Sequence, residues 1–165
     1  MENLEGKLAE LFSSLSRTAE RSRLYAMRAV KDGQPRLAKL FLALAESKAR
    51  QAQRFLVQMR GAVGPTAENV RTAFGTELNA DIDRYRDLLG EAERAGSKAL
   101  ATGFSHSIEV DRRTMELHER LGRETEDAAY YVCDFCGYIA VDEPPEHCPV
   151  CTAGRNRFKA LDPRP

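Results

Sequence analysis

The stretch CDFCGYIAVDEPPEHCPVC, from Cys133 to Cys151, holds all four cysteines of the chain and limits what its C-terminal part can become. Two CxxC pairs, Cys133/Cys136 and Cys148/Cys151, are separated by eleven residues, with Gly137 directly after the first pair and two prolines before the second. Each pair can therefore close into a tight knuckle with both thiolates turned inward, and two facing knuckles make a tetrahedral four-thiolate metal site. The alternative is a pair of disulfides. The opening residues MENLEGKLAELF lack the basic and apolar runs of a secretory leader, so a reducing cytoplasmic setting is expected and metal is favoured over disulfides. Thiolate ligands alone permit either iron, a one-electron centre, or zinc, a structural ribbon.

A site of this size needs little protein around it, and the chain is much longer. Its 165 residues, 42% hydrophobic and 30% charged, suffice for one larger core plus a metal-stapled appendage. No apolar run is long enough to span a membrane. With 25 Lys+Arg against 25 Asp+Glu the net charge is zero, which argues against nucleic acid or an anionic membrane as partner. Arg155, Arg157, Lys159 and Arg164 make the tail locally basic, read as solvated first and as a docking patch second.

The first 125 residues carry helical periodicity. Helix A (3–32) places Leu4, Leu8, Leu11/Phe12, Leu15 and Ala19 at three- and four-residue steps and continues through Leu24, Met27 and Val30 to Asp32-Gly33. Pro35 opens helix B (35–60), whose expected inner stripe is Leu37, Leu40/Phe41, Leu44, Lys48, Gln51/Ala52, Phe55 and Met59. After Gly61-Ala-Val-Gly64-Pro65, Thr66 starts helix C (66–95), with Val70, Ala73/Phe74, Glu77, Asp81, Tyr85 and Leu88 inward. Helix D (97–122) follows with Leu100, Phe104, Ser107/Ile108, Asp111, Thr114/Met115 and His118. Polar residues 123–127 then lead to the cysteine domain, 126–165.

Three charges, Lys48, Glu77 and Asp111, fall on the expected core stripes of three different helices, where an unpaired charge is costly. A carboxylate-bridged di-metal bundle would bring Glu and Glu-x-x-His ligands together at such a place. No Glu in this chain has a His three residues later.

Lys31-Asp-Gly33, Thr66-Ala-Glu-Asn69, Cys136-Gly-Tyr138 and Cys148-Pro-Val-Cys151 followed by Phe158 give the chain, over nearly all its length, a resemblance to the rubrerythrins. The resemblance implies an all-α four-helix ferritin-like bundle followed by a small rubredoxin-like β-hairpin metal domain. Laid along the family pattern without gaps, the di-iron ligand positions fall on Leu15, Lys48, Gln51, Glu77, Ala80, Asp111 and Thr114. Only Glu77 and Asp111 keep ligand chemistry there. The expectation is therefore a degenerate site with no di-iron centre and with the family's peroxidase chemistry lost. Lys48 would replace the metal charge in an ion pair or triad with Glu77 and Asp111.

The same resemblance implies one rubredoxin-type iron, or else zinc, on Cys133, Cys136, Cys148 and Cys151, inside an apolar shell of Tyr131, Phe135, Tyr138 and Phe158. Thr152 stands where a glycine is expected after the second knuckle. Helix B spans nearly 40 Å at about 1.5 Å per residue, and the 61–66 connection reaches at most about 20 Å. It cannot cross back along one bundle. Either the bundle is plain up-down-up-down, or, as the ferritin arrangement implies, the A/B hairpin packs on the C/D hairpin of a second chain in a swapped homodimer. The functional expectation is one-electron transfer with a redox partner protein. The alternatives are a zinc-bearing structural or partner-binding protein and a residual di-iron peroxidase. His118 is read as a core or interface histidine and His147 as exposed.

Overall fold

The computed structural model describes residues 2–59, 61–121 and 128–161. The 123–127 linker, the ends assigned to helix B at 60 and helix D at 122, and Arg164 lie outside them. Two compact units, residues 1–65 and 66–165, make up the chain.

The first unit is a hairpin of α1 (Glu2–Lys31) and α2 (Pro35–Gln58). The turn between them follows from Gly33, whose φ of +69° suits a residue without Cβ. Gly33 N–H bonds to the Val30 carbonyl and Gln34 N–H to the Ala29 carbonyl, the pair of bonds that closes a helix C-terminus in a Schellman motif. Pro35, lacking an N–H, opens α2 at a position where none is needed.

The seam of this hairpin is made of small residues. Leu15, Ala19, Ser22, Ala26 and Ala29 are buried on α1 at alternating steps of four and three, and Ala38, Ala45 and Ala52 on α2 at steps of seven. This is a coiled-coil repeat built on alanine, so the two backbones approach closely. The larger stripes expected to be internal are not the seam. Leu24, Met27 and Val30 of α1 and Leu37, Leu40 and Leu44 of α2 are exposed, Leu40 keeping 63% of its surface. Both sets obey helical spacing, and close approach of the helices selects the small set.

In the second unit the expected helix C is interrupted. α3 (Thr66–Val70) passes into a π-helical stretch, Arg71–Glu77, before α4 (Leu78–Arg94) resumes α-helical bonding. The wider turn displaces carbonyls from their usual partners, and Asn79 Nδ2 donates to the Gly75 carbonyl at 2.7 Å. A second Schellman closure, at Gly96 (φ +68°), ends α4. α5 (Lys98–Leu121) then packs antiparallel to it, with Tyr85 stacked near Phe104 and Phe74 on His118 at a 4.2 Å centroid distance. His118 is thus held by an aromatic neighbour.

The C-terminal part is a three-stranded antiparallel sheet of order β2-β1-β3, formed by β1 (Tyr130–Cys133), β2 (Ile139–Val141) and β3 (Phe158–Ala160). Tyr131 sits opposite Ala140 and Ala160, and Cys133 opposite Phe158. The third strand, beyond the expected hairpin, ties the chain after the second knuckle back to the first. The mostly helical chain with a small cysteine-bearing sheet is the rubrerythrin-like architecture expected.

Candidate metal centre

The knuckles are superimposable in their bonding. In the first, Gly137 N–H donates to the Cys133 carbonyl at 2.9 Å; in the second, Thr152 N–H donates to the Cys148 carbonyl at 2.9 Å. Both turns need a left-handed residue at the same place, Gly137 at φ +88° and Thr152 at φ +63°. Thr152, standing where a glycine was expected, is strained there, since a β-branched residue is disfavoured at positive φ.

Cys133 and Cys151 lie 3.8 Å apart at sulfur, Cys136 and Cys148 3.6 Å, and all four sulfurs lie within 4.8 Å of one another. A disulfide needs about 2.05 Å. A tetrahedron with metal–sulfur bonds of about 2.3 Å has edges near 3.8 Å, so the four thiols fit a single thiolate-bound metal. Cys133 and Cys148 are buried, while Cys136 and Cys151 are partly open.

Backbone N–H groups point at the sulfurs. Burial pushes the Cys133 thiol up, but N–H groups of Cys136 and Phe135, with the Cys151 and Cys136 thiols, outweigh it and bring the pKa below the usual value. Burial dominates at Cys136 and Cys151, whose thiols are raised despite donors from Tyr138 and Ala153 respectively. The second knuckle therefore keeps its N–H to sulfur bond, from Ala153. Such donors stabilise thiolate charge and orient the ligands.

The expected aromatic shell is only partly formed. Tyr138 and Phe158 meet edge to face at 6.3 Å, but Phe135 is 66% exposed. It lies at the tip of the first knuckle, where the two cysteines take the inward directions. Sequence reasoning also missed Asp134, which accepts from Arg157 Nε at 2.7 Å and lies 3.4 Å from Lys159 Nζ. Two of the four basic tail residues are thus paired, and they clamp β3 to the first knuckle. The signal was present as an acidic residue inside the first CxxC and two cations twenty-odd residues on.

The positions on which the family's di-iron ligand pattern was expected to fall are spread over both units. Leu15 is buried in the α1 seam. Lys48 is half-buried on α2 and donates to Gln51 Oε1 at 3.2 Å, while Gln51 Nε2 donates to Ser47. Glu77 is exposed at the end of the π-helical stretch, and Ala80 is half-buried. Thr114 turns its hydroxyl to the Val110 carbonyl at 2.9 Å. Asp111 is half-buried, and burial followed by the charge of Asp81 pushes its pKa above the usual carboxylate value. Tyr85 is raised in turn by burial, Asp111 and Asp81. Asp81, paired with exposed Arg84, is the addition to this cluster. Its place four residues after Glu77 was the available clue. Tyr25 meets Phe41 edge to face, as packing. Among the described residues, the four cysteines are the one group of three or more His, Cys, Asp or Glu whose ligand atoms converge.

Residues 131–159 match the model of the rubrerythrin rubredoxin-like domain. A rubrerythrin of Porphyromonas gingivalis is 28% identical over 95% of this chain and 89% of its own length. Rubrerythrin-1 of Clostridium acetobutylicum is 25% identical over 98% of both chains. A solved structure of nigerythrin in a mixed-valence state aligns over 95% of this chain and 86% of its own at 19% identity, with a TM-score of 0.48. Residues 131–159 thus carry the pattern of the rubrerythrin rubredoxin-like domain, and the chain is similar in sequence to rubrerythrins along nearly its whole length.

Proposed function

We propose that this chain is a one-electron carrier: a rubrerythrin-type protein with rubredoxin-type iron on its four cysteines and a helical part that no longer holds two irons. Iron, when bound, supplies the redox couple. The observation that carries the reading is the sulfur tetrahedron, with 3.6 and 3.8 Å edges, set among N–H donors from Phe135, Cys136, Tyr138 and Ala153. A cage fixed in this way need not rearrange between charge states. Buried Cys133 and Cys148 keep water from one side, and half-open Cys136 and Cys151 provide the edge facing a redox partner protein.

Loss of the di-iron site is supported by the residues at its positions. An ammonium at Lys48, an amide at Gln51, and the side chains of Leu15, Ala80 and Thr114 offer no carboxylate or imidazole. Lys48 supplies positive charge where the relatives' pattern calls for metal. If the chain has enzymatic activity, it is as an oxidoreductase, with the family's peroxidase activity gone. No described helix is long and apolar enough to cross a membrane. Four free thiols suit the reducing cytoplasm proposed as its location.

Metal analysis and an absorption spectrum of protein isolated from its native host test the proposal. One iron per chain, a red colour and a reversible one-electron titration are expected. Colourless protein with zinc would replace the reading with a structural or partner-binding one. More than two irons per chain would restore the di-iron oxidoreductase.

A further inference from the structure

Buried Cys133 stands opposite Phe158 where β1 pairs with β3. Three charged residues border that pair: Asp134 follows Cys133, and Arg157 and Lys159 flank Phe158. They are joined to one another. Asp134 N–H donates to the Arg157 carbonyl at 2.8 Å, Asp134 Oδ1 accepts from Arg157 Nε at 2.7 Å, and Asp134 Oδ2 lies 3.4 Å from Lys159 Nζ. The Asp134 side chain keeps 24% of its surface and that of Lys159 keeps 74%. A carboxylate inside the first CxxC thus grips Arg157 by main chain and side chain at once and draws in a second cation, leaving the cluster with one positive charge in excess beside a metal ligand. Four thiolates around iron carry one net negative charge in the ferric state and two in the ferrous state. Reduction is therefore the step that a neighbouring cation favours and a neighbouring carboxylate opposes.

We infer that Asp134 is a positioning residue that sets the reduction potential of the thiolate centre: its carboxylate, itself unfavourable to reduction, holds the two β3 cations that favour it at a fixed place beside Cys133. The inference rests on the electron-carrier reading. Its two contributions have opposite signs, which separates charge from packing. Asp134→Asn removes the negative charge while the side-chain oxygen can still accept from Arg157 Nε, so reduction becomes easier. Lys159→Gln removes a positive charge from an exposed side chain that has little packing to lose, so reduction becomes harder. Because Lys159 is largely in solvent, both shifts are modest and shrink as salt is added.

Spectroelectrochemical titration of the iron-loaded full chain against one-electron mediator dyes, at low and at high salt, is the test. At low salt Asp134→Asn should raise the potential and Lys159→Gln lower it, each by about threefold in the equilibrium constant for electron exchange with the mediator. The double variant should return close to the wild type, and the single shifts should shrink at high salt. Zinc-loaded samples read the positioning separately. Asp134→Ala takes away the acceptor of Arg157 Nε and should lose zinc to a chelator roughly tenfold faster than the wild type, with Asp134→Asn nearer the wild-type rate. Single-variant shifts of the same sign, or none, would overturn the tuning, and zinc loss from Asp134→Ala at the wild-type rate would overturn the positioning. Either result leaves the electron-carrier reading standing, because the wild-type couple is still present. Iron-loaded wild type without a reversible couple would sink that reading and the inference with it.

Discussion

Replacing Thr152 by glycine should stabilise the metal domain, and the first knuckle supplies the reference for how much. The same N–H to carbonyl turn bond closes both knuckles at 2.9 Å, and both turn residues are left-handed. Gly137 adopts φ +88° without penalty, while Thr152 at φ +63° sets its Cβ against the following carbonyl. That costs about 1–2 kcal/mol for an L-residue, and a branched Cβ places Thr152 toward the upper end. Glycine returns about 0.5–1 kcal/mol of the gain through its freer unfolded chain. The net for Thr152→Gly is about 1 kcal/mol of stabilisation. The mirror change, Gly137→Thr, meets no heavy atom within 4 Å at its new Cβ. Its cost is therefore conformational alone, about 1–2 kcal/mol. Guanidinium unfolding of the metal-loaded protein, followed by loss of thiolate-to-metal absorption, reads both. A Thr152→Gly midpoint equal to or below the wild-type one would refute the strain argument, and so would a neutral Gly137→Thr.

Four further outcomes follow from the same geometry. Ala45→Leu forces a larger side chain into the α1/α2 seam, where Ala45 is 1% exposed; it should cost about 1–3 kcal/mol, whereas Ala43→Leu, two residues away and exposed, should stay within about 0.5 kcal/mol, both read from thermal melts. Cys148→Ser removes a buried ligand and should abolish stable one-metal loading, measured as metal per chain after gel filtration against a chelator. Because Cys136 and Cys151 hold their protons above the usual thiol range without metal, uptake must displace protons, and the apparent affinity should fall steadily with falling pH in a competition titration. Asp111 has its folded pKa raised above 3.8 by burial and then by the charge of Asp81. The folded state then binds the proton more tightly than the unfolded one, so stability is greatest below the unfolded value and declines as pH rises through the folded one. Urea titrations from neutral pH to about pH 4 should show this contribution rising in the wild type and absent from Asp111→Asn.

Much of this molecule was written locally. The CxxC pairs define the thiolate cage because two residues between cysteines leave a knuckle as the compact solution. Gly33 and Gly96 mark two helix ends because each closure needs a left-handed residue. Thr152 was already conspicuous as a branched residue at a turn position. The π-helical passage from Arg71 to Glu77 had no comparable marker, since its bonding differs from an α-helix by one residue per hydrogen bond and its composition does not.

The sequence by itself determined the cysteine cage, the helices and their turns, and the absence of any Glu followed by His three residues later, because these depend on residue type and short spacing. Tertiary structure decided which stripe became the seam. Leu42-Ala43-Leu44-Ala45 offers two leucines and two alanines, yet Ala45 is the residue buried against α1. Periodicity gives the angle of a side chain about its helix, whereas the distance to the neighbouring helix depends on both surfaces at once. Packing likewise turned Phe135 outward, joined Asp134 to Arg157 and Lys159, and set Asp81 beside Asp111. Each of these depends on residues far apart in the chain and close in space.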